Sequence, residues 1–239
     1  MLSWKIKWLL VVSLVANLIL MGIHSKSSGF SMLANKGTSI IEGTQEEGET
    51  TSYSHRKSLF ELLPVHENSI VFLGDSLTEY NEWHEEFGKE WILNRGISGD
   101  TTSGILKRLD HIIDIKASKI FLMVGINDLG NGKSVGSITD NNEKIVKKIL
   151  KESPGTELYL ESCLPINADL YGNRLNNQDV KKVNSNLQTI AMKYNLTYID
   201  LYSVMLDGDS LNKNYTKDGL HLNGEGYSTW KKALAKFIT

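Results

Sequence analysis

From residue 69 onward, short unbroken apolar runs recur along the chain. They are residues 69–73 (SIVFL), 91–94 (WILN), 119–124 (KIFLMV), 156–162 (TELYLES) and 197–202 (TYIDLY). Runs apolar at consecutive positions suit strands buried on both faces. Between them the apolar residues fall at helical spacing. Ile105, Leu106, Leu109, Ile112 and Ile113 form one set, and Ile138, Ile145, Val146, Ile149 and Leu150 a second, closed by Pro154-Gly155. Val180, Val183, Leu187, Ile190, Ala191 and Tyr194 form a third. The last helix opens near Asn223 and carries Tyr227, Trp230, Leu234 and Phe237. This alternation predicts an α/β fold, a mainly parallel five-stranded sheet with helices on both faces. In such a sheet ligands bind beyond the carboxyl ends of the strands. The residues that follow each apolar run are therefore the informative ones.

The pattern before residue 56 is different. Residues 8–23 (WLLVVSLVANLILMGI) carry no charge and follow Lys5 and Lys7. Sixteen residues at ~1.5 Å rise make a helix of roughly 24 Å, slightly short of a ~30 Å hydrocarbon core. Trp4 and Ile6 extend it, with the lysines reaching the headgroups on the cytoplasmic side. The segment reads as a signal anchor or a cleaved signal peptide. No A-x-A pattern follows it, which favours the anchor. A buried core helix is the remaining alternative. The domain beyond is then extracytoplasmic, on a single-pass membrane protein, or secreted after cleavage. Residues 24–55, rich in Ser, Gly and Thr, show no period and read as a flexible linker spanning ~30 Å. The folded domain is expected over residues 56–239.

Composition narrows the function classes. The formal net charge is −2, so no basic excess draws the chain to nucleic acid. Cys163 is the single cysteine, which excludes an internal disulfide and argues against a cysteine-based zinc site.

Four polar blocks follow the apolar runs: Gly74-Asp75-Ser76-Leu77-Thr78, Asn94-Arg95-Gly96-Ile97-Ser98-Gly99-Asp100, Gly125-Ile126-Asn127-Asp128 and Asp218-Gly219-Leu220-His221. Brought to one sheet edge, they supply the serine, histidine, aspartate and amide donors that acyl transfer needs. In this order they resemble the SGNH hydrolases, also called the GDSL esterase/lipase family. The stretches NRGISGDTTSGILKRL (residues 94–109), LPIN (164–167) and DGLHLNGEGY (218–227) are similar to its platelet-activating-factor acetylhydrolase-like branch. The resemblance spans about residues 65–239 and implies a three-layer α/β/α sandwich of flavodoxin-like type.

The resemblance implies a role for each block. Ser76 is the nucleophile, and its own N–H faces the developing oxyanion. His221 is the general base. Asp218, three residues earlier, orients the ring and stabilises the imidazolium. The Gly96 N–H and the Asn127 side-chain amide complete the oxyanion hole. Asp75, Asp128, Asp218 and His221 together are residue types that hydrolytic metal sites use, and Asp100 lies in the neighbouring block. No histidine pair at ligand spacing supports a metal site, and Asp75 and Asp128 are expected to hold loops through backbone amides. No cofactor or metal is expected. The insert at residues 168–178 offers Tyr171 and Arg174 as substrate contacts. The activity implied is a serine esterase acting on short-chain esters, acetyl esters first, of a lipid or carbohydrate. An O-acyltransferase on a cell-envelope polysaccharide, or an inactive binding module on the same fold, are the other readings.

Overall fold

The five apolar runs form one sheet. Its strands are β1 (Ile70–Gly74), β2 (Ile92–Gly96), β3 (Lys119–Met123), β4 (Glu157–Glu161) and β5 (Thr197–Ile199). Their order is β2-β1-β3-β4-β5, and every pairing is parallel. The computed structural model describes residues 50–66, 68–172 and 174–238. The anchor or signal expected at residues 8–23, and nearly all of the linker, lie outside the described residues. Among the described residues no helix is long and apolar enough to cross a membrane.

The helices in chain order are α1 (Thr51–Leu62), α2 (Ser76–Glu79), α3 (Trp83–Phe87), α4 (Thr102–Asp114), α5 (Ile126–Gly130), α6 (Val135–Glu152), α7 (Ala168–Tyr171), α8 (Asn177–Lys193), α9 (Leu201–Val204) and α10 (Gly224–Leu234). A small antiparallel hairpin, β6 (Leu206–Asp207) with β7 (Ser210–Leu211), lies between α9 and α10.

Strand register explains the two faces. Phe72 sits opposite Phe121, and Phe121 opposite Tyr159. Alternation across the pleat puts all three rings on one face, stacked with centroids 5.0 and 4.5 Å apart. Trp83 of α3 stacks on Phe72 at 4.1 Å and meets Trp230 of α10 edge-on at 5.0 Å. Both tryptophans are fully buried. The opposite parity, Val71, Leu73, Ile120, Leu122, Leu158 and Leu160, is buried as well. The helices α4, α6 and α8 form a row, and α8 packs on β4 and β5. Their buried residues are the helical sets read from the sequence.

Two boundaries differ from expectation. Strand β5 stops at Ile199, because the Asp200 side chain accepts the Ser203 N–H at 3.0 Å and caps α9. Helix α1 begins at Thr51, inside the stretch expected to be linker. Thr50 caps it by accepting the Tyr53 N–H at 3.2 Å. Tyr53 and Phe60 pack with Ile97 into a small cluster apart from the main core. Two aromatic anchors among polar residues give too weak a period to be seen in sequence.

Candidate active site

Ser76 is the first residue of α2, directly beyond the carboxyl end of β1. Asp75 caps that helix, its Oδ1 accepting the Leu77 N–H at 3.0 Å. A strand feeding straight into a capped helix turns the Ser76 hydroxyl toward the sheet edge. Ser76 itself is buried, yet its Oγ lies 3.1 Å from His221 Nε2.

His221 arrives from the loop before α10. Its Nδ1 lies 2.7 Å from Asp218 Oδ2. Asp218 Oδ1 also accepts the N–H groups of Leu220 at 2.9 Å and His221 at 2.8 Å. Burial raises the Asp218 pKa, but the hydrogen bonds from the His221 ring and from the two backbone amides outweigh it and hold the carboxyl down at about 2. An ionised carboxylate only accepts, so Nδ1 carries the ring hydrogen. Nε2 is left with its lone pair toward Ser76. Three residues expected to cooperate are thus joined in one hydrogen-bonded line.

The expected donor Gly96 is placed differently. Its N–H donates to Asn94 Oδ1 at 2.9 Å, so it has no hydrogen left for a substrate oxygen. Gly96 serves close packing instead: a Cβ there would lie 2.3 Å from the Glu79 backbone nitrogen. Through the following loop, the Ile97 N–H donates to Gly74 O, the Ser98 N–H to Glu79 Oε2 and the Asp100 N–H to Ile97 O. Among the described residues, the Gly99 N–H is the one amide of residues 96–100 without an acceptor. Gly99 is exposed and has φ +80, a left-handed conformation that glycine adopts freely. The sequence offered a signal, a second glycine three residues on, just before Asp100.

Asn127, at the start of α5, donates from Nδ2 to the Asp100 carbonyl at 2.9 Å. A primary amide has two hydrogens, so one remains beside the Gly99 loop. Asn94 has its own task. Its Nδ2 is within 3.0 Å of the carbonyls of Thr78, Glu79 and Asn81, closing the carboxyl end of α2.

The buried aspartates act as loop holders. Asp128 accepts the Thr102 N–H at 2.9 Å and its hydroxyl at 2.6 Å. Asp100 pairs with Arg108 Nε at 2.8 Å, and Arg108 Nη2 donates to the carbonyls of Gly74 and Arg95. Burial, with Asp100 and Asp128 adding repulsion against the Leu77 hydrogen bond, pushes Asp75 up to about 7.

The insert after β4 touches the site. The Asn167 N–H, just before α7, donates to Gly219 O at 2.8 Å, between Asp218 and His221. Arg174 is exposed and lies over the Tyr171 ring at 5.4 Å. Among the described residues, no hydrogen bond, ion pair or ring contact joins either side chain to Ser76 or His221. Tyr80, not singled out from the sequence, has such a contact: its ring centroid is 5.2 Å from that of His221, and its hydroxyl is 3.2 Å from Ser98 Oγ.

Fold and site together define the class, an α/β enzyme with its chemistry on one strand edge. The family model described as GDSL-like Lipase/Acylhydrolase matches residues 72–228. The chain is 30% identical over 182 residues to platelet-activating factor acetylhydrolase IB subunit alpha2 of Rattus norvegicus, covering 72% of this chain and 76% of that one. It is 26% identical over 175 residues to an N-acylneuraminate cytidylyltransferase of Streptococcus agalactiae. That match takes in 72% of this chain and 39% of the relative's length. A solved structure described as a platelet activating factor from Streptococcus pneumonia aligns with a TM-score of 0.72 at 30% identity, over 79% of this chain and 93% of that one. The chain belongs to the GDSL-like lipase/acylhydrolase family and is a carboxylic ester hydrolase.

Proposed function

We propose that the chain is a serine esterase for short acyl esters, working through an acyl-enzyme on Ser76. The observation that carries this is the line from Asp218 through His221 to Ser76, 2.7 and 3.1 Å in its two steps. Ser76 Oγ attacks the ester carbonyl while His221 Nε2 takes its proton. The carbonyl oxygen becomes an oxyanion, met by the N–H groups of Ser76 and Gly99 and by the second hydrogen of Asn127. The tetrahedral adduct collapses, the ester C–O bond breaks, and the alcohol leaves with the proton from His221. Water then attacks the acyl-enzyme, giving its proton to His221, which returns it to Ser76 as the acid departs. Asp218 stays ionised throughout and balances the imidazolium.

The acetyl-sized acyl group draws support from the acetylhydrolase relative, and Tyr80 against His221 narrows the approach. Extracytoplasmic placement draws support from Lys5, Lys7 and the apolar residues 8–23. The test is hydrolysis of p-nitrophenyl esters from acetate to decanoate, with Ser76→Ala alongside. Turnover that falls with chain length and vanishes in the variant is expected. Turnover retained by Ser76→Ala would refute the acyl-enzyme, and a maximum at decanoate would refute the short acyl group.

A further inference from the structure

Helix α1 precedes the matched residues 72–228, yet it reaches the loop that carries Gly99. Arg56 Nε donates to the Gly96 carbonyl at 2.7 Å and lies 3.0 Å from Glu79 Oε1. The other oxygen of Glu79, Oε2, accepts the Ser98 N–H. Glu79 belongs to α2, one turn beyond Ser76. One carboxylate therefore ties the nucleophile's helix to the loop, and one guanidinium ties both to α1. The Arg56 guanidinium also lies over the Phe60 ring at 5.0 Å, with Arg95 on the same ring at 4.8 Å. Ile97 is buried against Tyr53 and Phe60.

The arrangement isolates one peptide unit. Ser98 N–H is held by Glu79, and Asp100 N–H by Ile97 O. Between them lies the Ser98–Gly99 peptide, whose N–H has no acceptor among the described residues and whose glycine is free to rotate. Releasing Ser98 would let that peptide turn and take the N–H off the developing oxyanion.

We propose that Arg56, acting through Glu79 and the Gly96 carbonyl, is a positioning residue that fixes the Gly99 N–H for transition-state binding. This rests on the esterase reading above. The consequence is that α1 is part of the catalytic unit, although it touches neither Ser76 nor His221 among the described contacts.

The test uses the full chain with Arg56→Ala, Arg56→Lys and Glu79→Gln, and Lys57→Ala as a control for charge on the same helix. For Arg56→Ala, kcat on p-nitrophenyl acetate should fall ~10- to 100-fold while KM stays within about 2-fold. Affinity for an acyl trifluoromethyl ketone, which adds to Ser76 and forms an oxyanion, should fall by the same factor. Arg56→Lys should recover part of the loss, because an ammonium can still reach Glu79. Lys57→Ala should match the parent. A folded Arg56→Ala enzyme with parental kcat overturns the proposal, as does a kcat loss without a matching loss of ketone affinity. If Arg56→Ala does not fold, Glu79→Gln decides: it should show the same split, and parental kcat there overturns the proposal. Failure of the underlying reading looks different, because then Ser76→Ala itself keeps its turnover.

Discussion

The two glycines of the second block separate packing from chemistry. Gly96 ends β2 beneath α2, where a methyl group would strike the Glu79 backbone rather than a movable side chain. Overpacking of that kind costs ~1–3 kcal/mol. Gly96→Ala should therefore lower the melting temperature by ~2–10 °C, with activity falling only as the fold loosens. Asn127→Ala should do the reverse. It loses one hydrogen bond to Asp100 O, about 1 kcal/mol, but lowers kcat ~10²–10³-fold by removing an oxyanion donor. Melting curves and kcat on the same two variants check the contrast, and a kcat loss at Gly96 larger than at Asn127 would restore Gly96 to the oxyanion hole. Ser76 and Asn127 were expected from the sequence because each closely follows an apolar run that became a strand, whereas Asp218 and His221 lie in the loop before α10 and were expected from their spacing and the resemblance. Gly96 was misread because a glycine's place in a motif does not reveal whether its N–H is already bonded. That depended on Asn94, whose side chain folds back two residues. Tyr80 escaped notice because its partners, Ser98 and His221, come from other elements.

At the scale of elements, β4 holds a group whose burden depends on pH. Glu161 is buried in the strand, with Oε1 accepting the Trp230 indole N–H at 2.8 Å. Burial pushes its pKa up from 4.5 to about 8, with only the Trp230 hydrogen bond pulling it back. Below pH 4.5 both folded and unfolded chains hold this proton, so the group adds no slope. Between 4.5 and about 8 the unfolded chain releases it while the folded chain keeps it. The unfolded state then binds fewer protons, and stability falls as pH rises through that window. Above about 8 both states are ionised and the slope ends. Glu161→Gln keeps an acceptor for Trp230 and removes the titration. Its melting temperature relative to the parent should rise steadily from pH 5 to pH 8; a difference constant across that range would show that Glu161 titrates alike in both states. The strand itself was plain from its apolar run, as were α4, α6 and α8 from their helical sets. The acidic residue at its end carried no such signal, because only the packing of α10 shows that Glu161 faces Trp230 rather than water.

Over the whole molecule, alternation was enough to expect a parallel sheet covered by helices on both faces, while the strand order β2-β1-β3-β4-β5 came only with the structure. What alternation did not reveal is where the folded unit starts. A boundary at residue 56 falls inside α1, between Tyr53 and Phe60, and severs the helix from its Thr50 cap. A chain of residues 56–239 keeps Arg56 and Phe60 but loses Tyr53 from the cluster on Ile97. Deleting a buried aromatic costs ~3–5 kcal/mol and losing a cap ~1 kcal/mol. In a domain of this size that is a fall of ~8–24 °C in melting temperature relative to residues 50–239. The fraying begins beside Arg56, so kcat should fall in the shorter chain as well, while Ser76, His221 and Asp218 keep their places. Thermal melts and p-nitrophenyl acetate turnover on the two fragments read both effects. Equal melting temperatures would mean that α1 adds nothing to the fold. A lower melting temperature with unchanged kcat would make α1 a brace for the sheet and leave the Gly99 loop to hold itself.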